Sequence, residues 1–538
     1  MGKAGLSSVL QFTPLDKRSL EIYNHFTGVC ICANLCLLRL RKGFHLGTIV
    51  FYMIIALYFL AALVLMVYGL NCYLMLFLFQ RGRLPAERRR KNILNRFSPE
   101  MEPDHWPTVT TQIPVYNEFN VVARVMRATA RMQYPEGKHE VQVLDDSTDE
   151  TRRLIDRVAD ELRKEGHDIQ VVRRETREGF KAGALAKGLI CARGELIAIF
   201  DADFAPPMDF LIKSVPFFME DGRLGLVQAR WGHLNDGRSL LTRVQSIGID
   251  GHFMIEQSAR NWGGLFMNFN GSAGIWRREA ILAGGGWEWD TLTEDMDLSY
   301  RVQFRGWRTL YLPDLVVPAE IPEDVGAFKS QQFRWAKGSI QTALKLLPGI
   351  FASKVSLFKK VEAFFHLTHY LVHPLMVILA ILALPVLMLL EFSHRPLVFV
   401  AIALLLGLAM VAPSVLYLVS QRVSYGDWLR RAVYLPFLVV VGIGIALSNT
   451  GAVLEALVGR ESAFVRTPKK GDREFIAYRI RLPWSGLLEI LLGVYCAGSL
   501  GYYLAAGKYL VGPFLAAYAA GFLFVGFMTL AHAAGFSR

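Results

Sequence analysis

Four stretches carry side chains that could do chemistry together. "VLDDSTDET" ends an apolar run with Asp145 and Asp146, and "FDADF" holds Asp201 and Asp203. "TEDMD" holds Glu294, Asp295 and Asp297, and "QQFRWAKGS" holds Gln331, Arg334 and Trp335. In a strand, residues i and i+2 point to one side, so Asp201 and Asp203 would repel unless a cation lay between them. Mg²⁺ or Mn²⁺ suits such hard oxygen ligands and often joins carboxylates to substrate phosphates. Asp145 and Asp146 could accept hydrogen bonds from a nucleotide base or ribose, or could cap the helix that follows. Arg334 offers a planar set of donors fitted to phosphate, and Trp335 offers a flat apolar face for the C–H face of a sugar; Arg334 stacked on Trp335 near a membrane is the plainer reading. The acids of "TLTEDMDLSYR" also have a plain reading, because Thr291 and Glu294 have capping-box spacing and acids suit a helix N-terminus.

The elements that must position these residues follow from the patterning of residues 98–350. Short apolar runs such as "VQVL" (141–144) and "ELIAIF" (195–200) alternate with helix-like charged stretches such as "DSTDETRRLIDRVADELRKEG" (146–166). Strand followed by helix, repeated, predicts an α/β domain with a largely parallel sheet. Ligands of such sheets bind beyond the carboxyl ends of the strands, where "VLDD" and "FDAD" place their acids.

The flanks are of another kind. The chain has 538 residues, 53% of them hydrophobic and 20% charged, which fits membrane spans joined to a water-exposed domain. Residues 47–80 are long enough to cross a bilayer, and "RGRLPAERRRKNILNR" (81–96) follows as a cytoplasmic flank. Residues 29–40 are too short to cross and read as interfacial. Further spans are expected at 364–390, 396–420, 484–505 and 511–532. The apolar run 433–457 has basic loops on both sides, so a single crossing conflicts with the positive-inside rule; it is expected to lie along the cytoplasmic interface or to re-enter. The net charge of +12 fits basic cytoplasmic loops and an anionic substrate better than nucleic acid, which is not an expected partner. Six cysteines without a CxxC pair predict neither a zinc site nor a disulfide framework. No cleaved signal peptide is expected.

Taken in order, "TQIPVYNE" (111–118), "VLDDSTD", "KAGAL" (181–185), "FDADF", "FNGSAG" (269–274), "TEDMD" and "QQFRW" resemble the membrane-bound family 2 glycosyltransferases, which include cellulose synthase, hyaluronan synthase and plant mannan and glucan synthases. The resemblance implies an α/β GT-A domain that binds a nucleotide sugar, set between N-terminal and C-terminal membrane helices. It divides the chain into an interfacial segment (1–46), a span (47–80), a catalytic domain (81–360), a membrane hairpin (361–420), an interface helix with a gating loop (421–483) and a second hairpin (484–538). It also implies roles. Tyr116, Glu118, Asp145, Asp146, Lys181, Asp201 and Arg334 would bind a UDP- or GDP-hexose, and Asp201 with Asp203 would hold Mg²⁺ or Mn²⁺. Asp295 would be the general base for the acceptor hydroxyl, and Glu294, Gln331 and Trp335 would bind the acceptor. "FVRTPKKG" resembles the gating loop of cellulose synthase in part, through Phe464, Thr467 and Lys469, with Arg466 where a Val is common there. The expected activity is inverting, processive synthesis of a β-linked polysaccharide, preferably β-1,4-mannan or glucan, passed through the protein's own channel. Addition of one sugar to a lipid is the alternative, and a degenerate scaffold or transporter the non-enzyme one. A bacterial inner membrane is the expected location, membrane lipids are expected partners, and no cyclic di-GMP-sensing domain is expected.

Overall fold

The computed structural model describes residues 46–97, 103–391, 396–460 and 484–533. Its centre is a seven-stranded mixed sheet in the order β3-β2-β1-β4-β6-β5-β7. The strands are β1 (Val109–Val115), β2 (His139–Asp145), β3 (Ile169–Arg173), β4 (Leu196–Ile199), β5 (Leu224–His233), β6 (Gly274–Arg277) and β7 (Arg308–Ala319). The pairs β1–β2, β2–β3, β1–β4 and β5–β7 are parallel, while β6 runs antiparallel to both its neighbours. The largely parallel sheet holds, with one reversed strand.

Both faces of the sheet are covered, as parallel strands require. Along β4 the side chains alternate between two cores. Leu196 and Ala198 join a cluster with Ile113, Val143 and Ile155, and Ile197 and Ile199 join one with Leu185, Trp276 and Leu298. Helix α1 (Leu46–Leu94) precedes the sheet, α2 (Thr151–Lys164) joins β2 to β3, and α3 (Phe180–Cys191) joins β3 to β4. Helix α4 (Leu240–Asp250) continues into a wider π-helical turn, Gly251–Gln257, and a last turn, Ser258–Trp262. Helices α5 (Glu294–Phe304) and α6 (Val325–Ala352) lie either side of β7 in sequence.

The helices that follow are α7 (Leu357–Thr368), α8 (Val372–Glu391), α9 (Pro396–Ser424), α10 (Leu435–Gly444), α11 (Ala446–Leu457), α12 (Trp484–Ala505) and α13 (Gly512–Ala533). Among the described residues, five helical stretches are long and apolar enough to cross a membrane, or six if a bent pair counts as one. The helix that carries the first expected span is longer than that span. Helix α1 runs on through the basic cluster to Leu94, because Phe79 stacks on Trp262 at 5.5 Å and Gly82 lets the backbone close on the same indole. The bent pair is α10 and α11, which meet at 43° across Ile445 within the run 433–457. The expected interfacial stretch 29–40 and the gating-loop residues Phe464, Arg466, Thr467 and Lys469 lie outside the described residues.

Two ion pairs join α6 to these helices. Lys329 Nζ lies 2.6 Å from Glu489 of α12, with Thr529 of α13 at 3.3 Å, and Lys337 Nζ lies 2.9 Å from Glu455 of α11.

Candidate active site

A cleft of about 210 Å³ opens at the carboxyl ends of the parallel strands. Tyr116, Glu118, Asp146, Lys181, Asp201, Asp203, Glu294, Asp295, Gln331, Arg334 and Trp335 all line it. Four separate stretches of sequence therefore converge on one site, because β1, β2 and β4 end side by side and the starts of α5 and α6 close over them.

Asp145 does not line it. Its side chain is fully buried, accepts from Arg173 Nε at 2.7 Å, and accepts from the Ser147 amide at 2.9 Å. The strand period explains the split between neighbours. Asp145 is the last residue of β2 and points to one face, while Asp146 points to the other, into the cleft. Asp146 is gripped there by Arg174 through both guanidinium Nη2 and Nε. The structure thus places Asp145, expected to face a nucleotide, against Arg173 at the β2–β3 edge and outside the cleft lining. Nor do these two acids cap α2, since it is Asp149 Oδ1 that accepts from the Thr151 amide at 2.9 Å.

Asp201 and Asp203 lie in a turn beyond β4, not in the strand. The expectation of a shared strand face is corrected, although both still reach the cleft. The turn is pinned where Ser272 Oγ accepts from the Asp201 amide at 2.9 Å and where Phe204 bridges to Ala319. Two carboxylates on one wall are a donor set of hard oxygens that fits a divalent cation. Among the described residues another acid group, Glu288, Asp290 and Asp297, offers a similar count. There Lys345 fills the centre, 2.6 Å from Glu288, 2.8 Å from Asp290 and 3.1 Å from Asp297, so that group is a salt-bridge cluster.

Lys181 stands between the two acid stations. Its Nζ is 2.6 Å from Asp201 Oδ1 and donates to the Gly271 carbonyl at 2.8 Å. Burial works against its charge, yet Asp201, Glu294 and Asp295 hold its pKa above the ordinary value. Asp295 is the counterpart. Burial and the adjacent Glu294 push its pKa up to about 7, against the pull of Lys181 and the hydrogen bond from the Met296 amide. Glu294 is raised in the same sense by burial, with Lys181 and Arg334 opposing. A carboxylate poised near neutrality beside a cleft is what a general base requires.

The capping-box reading of Thr291 and Glu294 is not what the fold uses. Helix α5 begins at Glu294 after Thr293, which makes no side-chain cap. Thr293 Oγ1 instead meets Thr342 Oγ1 of α6 at 3.0 Å, which locks the start of α5 to the helix carrying Gln331, Arg334 and Trp335. Asp297 turns away from the cleft to Arg301 at 2.7 Å.

The sequence reading passed over several cleft groups. Arg177 lies over the Tyr116 ring, 3.3 Å from its centroid, and lines the cleft. Asn270 also lines it; its amide donates to Gln228 Oε1 at 3.0 Å, and its side chain meets His252 Nε2 at 3.0 Å and Gln257. His233 lines it too, 3.0 Å from a buried Asp250 that Gln421 of α9 also holds at 3.0 Å. None of these could be placed from spacing, because each partner lies on a different element.

The description "Glycosyltransferase like family 2" matches residues 107–338, and the description "Cellulose synthase" matches 280–511. A glucomannan 4-beta-mannosyltransferase 7 of Arabidopsis thaliana is 35% identical over 409 residues, which is 72% of this chain and 71% of that protein. The chain belongs to the cellulose synthase-like family 2 glycosyltransferases. A probable glucomannan 4-beta-mannosyltransferase 7 of rice is 45% identical over 260 residues, 47% of this glycosyltransferase and 44% of that relative. This glycosyltransferase thus spans about half the length of several curated relatives it matches, and more of others. Among solved structures, a mannosyltransferase of Pyrobaculum calidifontis in complex with GDP-Man and Mn²⁺ is 20% identical, over 74% of this chain and all of that one, with a TM-score of 0.46. The glycosyltransferase has the GT-A sheet between helices fit to span a membrane, and it is an integral membrane enzyme. The relatives named are from plants, and a bacterial inner membrane in particular gains no support from them.

Proposed function

We propose that this enzyme transfers mannose from a nucleotide-linked donor onto a growing β-1,4-mannan or glucomannan, and passes the chain through its own membrane helices. The observation that carries the reading is the Asp295 carboxylate. It is raised to neutrality and set beside Lys181, in a cleft whose far wall is the acceptor-facing start of α6. The mannosyl specificity rests on the names of the relatives.

Chemically, the acceptor hydroxyl is a poor nucleophile, so Asp295 takes its proton as its oxygen bonds to the anomeric carbon. The bond from that carbon to the diphosphate oxygen breaks in the same event. Lys181 and Arg334 neutralise the charge that gathers on the leaving nucleoside diphosphate. A divalent cation, Mg²⁺ or Mn²⁺, held by Asp201 and Asp203 would supply further positive charge there. No second catalytic carboxylate is needed, because the leaving group departs without a proton. One displacement inverts the anomeric centre, so an α-linked donor gives a β-linked product. Asp146, Tyr116, Glu118 and Arg177 form the end of the cleft for the nucleoside, and Gln331 and Trp335, with Glu294, the end for the acceptor sugar.

The membrane reading follows from the same helix. Helix α6 carries acceptor-facing residues at one turn and ion pairs to α11 and α12 at others, so a sugar bound on it is beside the membrane bundle. The catalytic domain and the bent α10–α11 pair are assigned to the cytoplasmic side, with the loop bearing Phe464, Arg466, Thr467 and Lys469 as the gate over the donor. Basic residues on both flanks of the pair support that side.

The test is nucleotide release by the purified protein in lipid with Mg²⁺ or Mn²⁺, across UDP- and GDP-hexoses. Sustained release with a mannose donor and a high-mass product is expected. Release that needs an added lipid acceptor and stops after one sugar would replace this reading with lipid glycosylation.

A further inference from the structure

Away from the active site, a cavity of about 740 Å³ lies where α1 leaves its apolar stretch and meets the catalytic domain. Leu78, Pro85 and Ile93 of α1 line one wall, and Phe217, Trp262 and Leu310 line the other. Its charged lining is Arg81, Arg89, Arg90 and Arg308 against Glu220 and Asp221. Both acids are already engaged: Glu220 by Arg96 at 3.2 Å, and Asp221 by Arg308 at 3.1 Å. Arg81 and Arg89 have no ion pair among the described residues.

Arg90, by contrast, is engaged within the protein. It is 9% exposed and pairs through Nη2 with Asp314 at 2.5 Å, but its Nη1 has no hydrogen-bond partner. The Trp262 indole N–H, on the opposite wall, has none either. Both atoms are closed off from solvent, and the Arg90 guanidinium lies over the Trp262 ring at 5.8 Å, so the cations that a ligand in the cavity could reach are Arg81 and Arg89. Phosphate oxygens match a guanidinium best, and Arg81 and Arg89 would share the charge of one phosphate.

The place says which phosphate. The cavity starts at Leu78, in the last turn of the apolar part of α1, and continues beside the basic part, so it straddles the edge of the bilayer. An apolar wall next to a cluster of arginines at that level suits a lipid headgroup together with the first part of its chains. We propose that this cavity binds the phosphate of an anionic phospholipid, which then fastens α1 to the Trp262 turn and to the start of β7. The proposal stands apart from the choice of sugar and from the catalytic assignments.

The test follows thermal unfolding of the full chain in neutral detergent, on titration with phosphatidylglycerol, phosphatidylcholine or inorganic phosphate. Phosphatidylglycerol is expected to raise the unfolding temperature with saturation, and phosphatidylcholine is not. In the Arg81→Gln, Arg89→Gln double variant the half-saturating lipid concentration should rise about thirtyfold, from the loss of two juxtamembrane cations. Equal protection by phosphatidylcholine, an unshifted titration in the double variant, or equal protection by millimolar phosphate would each overturn the lipid assignment, the last in favour of a soluble phosphate ligand. If the double variant does not fold, photoactivatable phosphatidylglycerol on the wild type decides. Crosslinks are expected on peptides containing Leu78–Ile93 or Trp262, and crosslinks confined elsewhere would refute the site.

Discussion

Replacing Asp295 with Asn should make the enzyme inactive and, at neutral pH, more stable. The wild-type carboxyl is raised from an ordinary 3.8 to about 7 by burial and by Glu294, so its ionised form is disfavoured in the folded chain. Three pKa units correspond to about 4 kcal/mol at ~1.36 kcal/mol per unit. Partial solvent contact at the cleft and the Lys181 ammonium screen that charge, which leaves an expected gain of about 2 kcal/mol for the neutral amide. The sign with pH is fixed by linkage. A folded pKa above the unfolded one contributes stability at low pH that is lost as pH rises through the folded value. The gap between Asp295→Asn and wild type should therefore be small near pH 4, open between pH 4 and 7, and stay open above 7. Thermal unfolding without donor or divalent cation, at pH 5 and pH 8, reads it directly. Turnover should fall by about 10²–10⁴ in the variant, the usual worth of a positioned base, and wild-type turnover should decline as pH drops below about 7. A variant that keeps turnover within tenfold of wild type, or whose stability advantage is the same at both pH values, would refute the argument.

Three other perturbations have distinct outcomes. Gly271 has φ +82°, and a Cβ there would lie 2.9 Å from Asp295 Oδ2 and 3.2 Å from Lys181 Nζ, so Gly271→Ala should cut kcat by at least about tenfold with a smaller change in donor affinity. Donor titrations of Asp146→Asn and Asp145→Asn should separate the neighbours: the first weakens donor binding, while the second mainly lowers the unfolding temperature, by loss of the pair with Arg173. Glu489→Gln should leave Lys329 buried without its charge partner and cost about 3 kcal/mol, and the double change Lys329→Met, Glu489→Leu should recover most of the lost stability in thermal unfolding.

Much of the site was legible because its chemistry sits in short runs. Asp201 with Asp203, Glu294 with Asp295, and Gln331 with Arg334 and Trp335 each lie within a few residues, and each group reaches the cleft intact. The alternation of strands and helices gave the sheet for the same local reason. Long-range pairing was not legible. That Arg174 takes Asp146 and Arg173 takes Asp145 depends on the register of β2 against β3, where Asp145 faces Arg173. Strand alternation could have shown that only one of two adjacent acids faces the cleft. The reversal of β6 is written in four residues, Gly274–Arg277, too few to reveal direction. The helix that carries the first span runs on past the basic flank to Leu94, which charge could not show: charge marks where a helix meets water, whereas the helix itself ends where its packing on Trp262 and the catalytic domain ends.

The most direct single measurement is digestion of the product made from a labelled nucleotide mannose by the purified enzyme in lipid, using an endo-acting β-1,4-mannanase. Label recovered as short manno-oligosaccharides from a high-mass product is the predicted result. A product that resists the mannanase, or label confined to a single mannosyl group on lipid, would contradict it.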